Sequence, residues 1–166
     1  MLSKNTKETE KIAKIFLEKI LEAKRNRKSA LVVGLSGDLG AGKTAFTQNV
    51  AKYLGIKEKI KSPTFVIFKK YPIPEQARYE AGPLPLRRGS AQRARGSDFR
   101  FFFHFDAYRL KNEKELLHLG WEEIIKNKEH LIFIEWPENV SKIMPVDARL
   151  VFISHGKNSS RKLELK

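Results

Sequence analysis

Ala30-Leu31-Val32-Val33-Gly34-Leu35-Ser36-Gly37-Asp38-Leu39-Gly40-Ala41-Gly42-Lys43-Thr44 decides how this chain is read. An apolar run of strand length, residues 30–35, feeds a glycine-rich loop. Lys43 to Leu54 then reads as a helix, with Gly55 placed to end it. The loop fits Gly-x-x-x-x-Gly-Lys-Ser/Thr without a mismatch and adds a further glycine at Gly40. Each residue type has a chemical reason. Glycines let the backbone curl into a ring of N–H donors that side chains would otherwise obstruct. The following helix aims its positive end at the same anion. Lys43 reaches the β- and γ-phosphates of a nucleotide, and the Thr44 hydroxyl can ligate Mg²⁺. With glycine at about 7% of residues, the four fixed positions coincide by accident in roughly one chain in 200. The strand before the loop and the helix after it lower that rate further. Gly37, Asp38, Leu39, Gly40, Ala41, Gly42, Lys43 and Thr44 are therefore the candidate cradle for ATP.

A phosphate-binding loop also needs an acid on a neighbouring strand to hold Mg²⁺. Two segments have the form. Phe101 to Phe105 ends at Asp106, and Leu131 to Ile134 ends at Glu135. In a parallel α/β sheet the carboxyl ends of the strands face the ligand crevice, so either carboxylate is a candidate metal-side group. Residue order alone leaves the choice between them open.

The remaining elements follow from periodicity. Asn5 with Glu8 reads as a capping box, and residues 6–25 as an amphipathic helix. Residues 62–64 form a loop and 65–71 a strand. Asn112 and Glu115 open a helix that Gly120 closes, and 121–127 is a short helix. Residues 148–154 and 162–165 are strands. Strands alternating with helices predict an α/β fold, a P-loop NTPase-like three-layer sandwich with a mostly parallel central sheet.

The 166 residues suit one domain, and the absence of Cys excludes disulfides and thiolate chemistry. The longest uncharged apolar run is far below the roughly 18 residues of a membrane span, and no leader peptide is visible, so a soluble, cytoplasmic protein is expected. Net charge is +14, from 33 Lys and Arg against 19 Asp and Glu. Lys is spread over nearly every segment, which favours a solvated basic surface over a dedicated anionic partner. Residues 75–100 break that pattern with six Arg and no Lys among Gly, Pro, Ala and Ser. This stretch reads as a flexible inserted loop within about 72–100, ahead of an RNA-binding arm. His104 reads as a packed or hydrogen-bonded residue rather than a metal ligand. Trp136 reads as core or site with equal weight, Tyr108 and Arg109 as a surface pair, and Arg161 as a solvated side chain.

Four motifs occur in order: Gly37 to Thr44, then Ser62-Pro63-Thr64-Phe65, then His104-Phe105-Asp106-Ala107-Tyr108-Arg109, then Glu135-Trp136-Pro137-Glu138. Together they resemble the TsaE family of small ATPases in bacterial tRNA threonylcarbamoyladenosine biosynthesis. The resemblance implies Mg²⁺-dependent ATP hydrolysis that resets a TsaD–TsaB-like complex between turnovers, without being the transferase. Contact with tRNA would be indirect, through that complex. It also implies roles by position. Lys43 and Thr44 serve the phosphates and Mg²⁺, and Thr64 with its loop senses the γ-phosphate. Asp106 is a catalytic or metal-shell acid, Glu135 the Mg²⁺-side acid with Trp136 beside it, and Thr9 helps hold the base. The extra residues between the second and third motifs depart from the family, but doubling a loop costs only about 0.6 kcal/mol. The competing readings are a small-molecule kinase, with the Arg-rich segment as its lid, and a non-enzymatic RNA-binding module.

Overall fold

The computed structural model describes residues 1–23, 27–75, 99–156 and 160–165. In chain order these form β1 (Leu2–Ser3), α1 (Thr6–Ala23), β2 (Leu31–Ser36), α2 (Lys43–Tyr53), β3 (Phe68–Pro72) and β4 (Phe101–Asp106). There follow α3 (Glu113–His118), α4 (Trp121–Lys126), β5 (His130–Glu135), a 3-10 segment (Pro137–Ile143), β6 (Arg149–His155) and β7 (Arg161–Leu165). The strands make one sheet in the order β1-β7-β6-β2-β5-β4-β3. The four central strands are mutually parallel, through the β6–β2, β2–β5 and β5–β4 pairs. The flanking pairs β1–β7, β7–β6 and β4–β3 are antiparallel. This is the expected α/β architecture with its parallel heart.

Side-chain alternation sorts the strands into two cores. On one face Leu31, Val33 and Leu35 of β2, Phe102 of β4, and Leu131 and Phe133 of β5 pack with Phe16 of α1 and Phe46 of α2. The Phe16 and Phe46 rings meet edge-on at 5.4 Å. On the other face Val32, Phe103, Phe105, Ile132 and Ile134 pack with Leu116 of α3 and Trp121 of α4. Trp121 stands edge-on to Phe105 at 5.3 Å and satisfies its indole N–H on the Ile143 carbonyl. The same period of two sends His104, Asp106 and Glu135 to the α2 face. This is how the strand ends come to the phosphate loop.

The helix starts follow local chemistry. At α1 the Glu8 N–H donates to Asn5 Oδ1, while Glu8 Oε2 accepts from the Lys4 N–H. At α3 the Asn112 side chain accepts from the Lys114 N–H. Gly120 separates α3 from α4 at φ 81.

Three features differ from the sequence expectation. The strand expected from Phe65 begins only at Phe68. Residues 64–66 turn instead, with the Val66 N–H on the Pro63 carbonyl, the Phe68 N–H on the Val66 carbonyl, and Ile67 at φ 66. A tertiary bond from the Asp106 N–H to the Ile67 carbonyl fixes this turn against the strand propensity of Val66 and Ile67. Second, β1 and the 3-10 segment were not expected. Third, the ends of the expected insertion belong to the domain: Pro72 lies in β3, Ile73 and Phe99 are buried, and the Ile73 N–H donates to the Arg100 carbonyl. The rest of that span, residues 76–98, lies outside the described residues.

Candidate functional site

The phosphate-type loop joins β2 to α2 at the carboxyl end of the parallel strands. Gly37 takes φ 141, and a Cβ there would lie 2.0 Å from the Ile153 carbonyl oxygen, so no side chain fits. Gly42 caps α2 at φ 105. A Cβ on Gly42 would meet Arg161 Nε at 2.9 Å. Arg161 is therefore not the solvated side chain expected from sequence. Its Nε is buried against the loop and has no hydrogen-bond partner among the described residues.

Lys43 opens α2 and folds back under the loop. Its Nζ donates to the carbonyls of Gly37 (2.5 Å) and Asp38 (2.9 Å). It also sits 3.7 Å from the centroid of the Trp136 ring. The residue is only 4% exposed. Burial pulls its ammonium below the usual lysine range, against the opposing pull of Glu135, Glu138, Asp106 and Asp38. Trp136 holds its place with a left-handed backbone, φ 60, right after β5, and its ring lies 5.0 Å from that of Tyr108. Trp136 thus lines the crevice and also packs against the second core.

The two strand-end acids are direct cross-strand neighbours, Asp106 opposite Glu135. Their partners differ. Glu135 accepts from the Thr44 hydroxyl through Oε1 (2.8 Å) and Oε2 (3.1 Å), and pairs with His104 Nε2 at 2.8 Å. Asp106 Oδ2 accepts from the hydroxyls of Ser62 (2.5 Å) and Thr64, which also touch each other at 2.6 Å. Asp106 Oδ1 accepts from the Tyr108 N–H. The loop threonine is thus paired with Glu135 and the Ser-Pro-Thr loop with Asp106, a distinction that residue order left open.

Between these groups lies a crevice of about 330 Å³. Leu39, Gly40, Gly42, Lys43 and Thr44 line one side, and Ser62, Thr64, Asp106, Tyr108, Glu135 and Trp136 the other. Of the remaining candidates, Gly37 and Asp38 contribute the carbonyls that hold Lys43, and Ala41 is fully buried beneath the loop. Thr9 is buried outside the crevice lining, its hydroxyl bonded to Ser3 Oγ and the Asn5 carbonyl. Sequence reasoning gave Tyr108 no part in the crevice. The signal was its position two residues beyond a strand-end acid. Arg109 sits over the exposed Phe65 ring at 4.4 Å. His104 is packed and hydrogen-bonded, as expected.

A β-strand, a glycine loop with its lysine and threonine, a helix, and acids closing the adjacent parallel strands define a P-loop-type α/β protein. The sequence profile described as "Threonylcarbamoyl adenosine biosynthesis protein TsaE" matches residues 3–81 and 92–163, and the chain belongs to this family. It is similar to the tRNA threonylcarbamoyladenosine biosynthesis protein TsaE of Haemophilus influenzae, 31% identical over 155 residues, covering 93% of this chain and 80% of that one. The protein of the same name from Bacillus subtilis is 31% identical over 132 residues, covering 80% of this chain and 66% of that one. That from Rickettsia conorii is 33% identical over 138 residues, covering 82% and 60%. The fold matches the crystal structure of YdiB from Bacillus subtilis with a TM-score of 0.63 at 24% identity, over 98% of this chain and 80% of that one. Among the described residues no helix is long and apolar enough to cross a membrane.

Proposed function

We propose that this TsaE-family protein of tRNA threonylcarbamoyladenosine biosynthesis is a Mg²⁺-dependent ATPase whose crevice takes the triphosphate of ATP. The observation that carries this reading is the arrangement of Lys43, Thr44 and Glu135. Lys43 is held by loop carbonyls and an aromatic face, and it makes no ion pair among the described residues, so its charge is available to an anion. Thr44 and Glu135 offer neighbouring hard oxygen donors, the ligand type Mg²⁺ takes. The residues present therefore fit both groups. When bound, Mg²⁺ neutralises charge on the β- and γ-phosphates.

The chain's own residues divide the work. Backbone N–H groups of the glycine loop and the start of α2 bind phosphate oxygens. Lys43 places a positive charge at the β/γ junction, where charge develops as the terminal bond breaks. Thr44 and Glu135 would hold Mg²⁺ when it is bound. Asp106 orients the Ser62 and Thr64 hydroxyls on the facing wall, where they sense the γ-phosphate. Tyr108 and Trp136, ring against ring at 5.0 Å, supply the aromatic part of the crevice wall.

Family membership supports a place beside a TsaD–TsaB-like complex in the cytoplasm, with ATP turnover resetting that complex and tRNA contacted through it. The test is phosphate release by purified protein with Mg-ATP, alone and with small-molecule acceptors, followed by pull-down with a TsaD–TsaB-like pair with and without ATP. Release to water and nucleotide-dependent capture are expected. Transfer to an added acceptor would favour a kinase instead, and no Mg²⁺-dependent ATP binding would remove the proposal altogether.

A further inference from the structure

His104 does not line the crevice, yet it is a buried polar partner of Glu135. It is 0% exposed and lies on β4 between Phe103 and Phe105, facing α2. Its Nε2 lies 2.8 Å from Glu135 Oε1. Its Nδ1 is buried and has no hydrogen-bond partner among the described residues. This pattern selects a tautomer. Were Nε2 the lone-pair nitrogen, it would face a carboxylate oxygen lone pair to lone pair. Nδ1–H would then be a buried donor without an acceptor, the costlier orphan. With the proton on Nε2 the ring donates to Glu135, and Nδ1 is left as an unpaired acceptor.

The consequence falls on Glu135. Its Oε1 accepts from both His104 and Thr44, while among the described residues Oε2 has only the longer 3.1 Å contact with Thr44. Oε1 is anchored between two elements, β4 and α2, and Oε2, on a residue that lines the crevice, is the oxygen with spare acceptor capacity. A buried histidine that fixes one oxygen of a carboxylate fixes the direction of the other. We propose that His104 is a positioning residue for Glu135: its Nε2–H holds Oε1 so that Oε2 is presented to a divalent cation beside Thr44. This rests on the Mg-ATP reading of the crevice.

The test is a Mg²⁺ titration of ADP binding by calorimetry. It compares the unmodified protein with His104→Phe, which keeps ring volume without a donor, and His104→Gln, whose amide N–H can reach Oε1. His104→Phe is expected to raise the Mg²⁺ midpoint about tenfold, the usual lower effect of losing such an outer partner, with ADP affinity in EDTA unchanged. His104→Gln is expected to return the midpoint to within about threefold of the unmodified protein. If His104→Phe does not fold, His104→Asn replaces it, since its amide is too short to reach Glu135. An unchanged midpoint in the donor-less variant overturns the proposal. So does an equal loss of affinity with and without Mg²⁺, which marks a packing role only. If the unmodified protein itself shows no Mg²⁺-dependent binding, the Mg-ATP reading fails, and the His104 role with it. The two failures are therefore distinguishable.

Discussion

Asp106 and Glu135 close adjacent parallel strands, in register, on the same face of the sheet, yet they are held by different partners. Glu135 is joined to α2 through Thr44 and to β4 through His104, so it is fixed from two sides by parts of the rigid core. Asp106 is joined to the Ser62 and Thr64 hydroxyls, which lie on a loop whose next turn carries an exposed Phe65 and a left-handed Ile67. One acid is braced by helix and strand, the other by a surface loop. The lesson is that a strand end supplies a carboxylate, and its through-space partners, Thr44 and His104 for one acid and Ser62 and Thr64 for the other, decide which part of the molecule it is tied to.

The largest effect expected belongs to neither acid but to Lys43, which lines the same crevice. Lys43→Ala removes the charge at the β/γ-phosphates and should lower phosphate release by at least about a hundredfold. Steady-state release at saturating Mg-ATP checks this. A variant within tenfold of the unmodified protein would mean that Lys43 serves only to brace the loop.

The loop side of the comparison can be broken separately. Thr64→Val removes one hydroxyl from Asp106 and leaves the Thr44–Glu135 end untouched. It should cut hydrolysis by roughly tenfold or more while leaving ADP affinity within about twofold, because ADP lacks the group that loop is proposed to sense. Loss of ADP affinity to the same degree would show that the two ends are not independent.

The far end of the same strands provides a control on stability. His130 begins β5 opposite Phe101, while Glu135 ends it. Burial holds the His130 imidazole below its ordinary 6.5, with Lys70 adding to the effect and the Ile124 carbonyl opposing it. The unfolded chain therefore binds the proton more tightly. Stability should fall as pH drops below about 6.5 toward the depressed folded value, then level off. His130→Gln should flatten that slope in denaturant titrations across pH 5 to 8, with nucleotide affinity unaltered at pH 8. An unchanged slope would assign the acid sensitivity elsewhere.

The smallest effect is expected from replacing residues 76–98 by a short Gly-Asn-type turn. The Ile73–Arg100 backbone bond already closes the β3–β4 hairpin outside that span. Shortening the connection changes closure entropy by only about 1 kcal/mol, so the melting temperature should move by roughly 5 °C or less. ADP affinity should stay within about twofold. A large loss of either would make the Arg-rich segment part of the domain or of the crevice.

How much was legible in the sequence follows from the range of the forces involved. The glycine loop was plain because close approach of backbone to an anion needs glycine at fixed spacing, a local demand. The central strands were plain because burial on both faces demands a continuous apolar run, as in residues 31–35. The choice between Asp106 and Glu135 was not, because the deciding contacts come from Thr44 and Ser62, far away in sequence. The turn at 64–66 was missed for the same reason: Val66 and Ile67 favour a strand locally, and a bond to Asp106 overrides them. β1 has two residues, and its pairing with β7 crosses the whole chain. No local pattern announces it.

The most direct test of the division between the two acids is a Mg²⁺ titration of ADP binding by calorimetry in the unmodified protein, Glu135→Gln and Asp106→Asn. Both substitutions keep size and remove charge. The Mg²⁺ midpoint should rise at least about tenfold for Glu135→Gln and stay within about threefold for Asp106→Asn. Equal shifts in the two variants, or the larger shift in Asp106→Asn, would contradict the assignment of Glu135 to the metal and Asp106 to the loop.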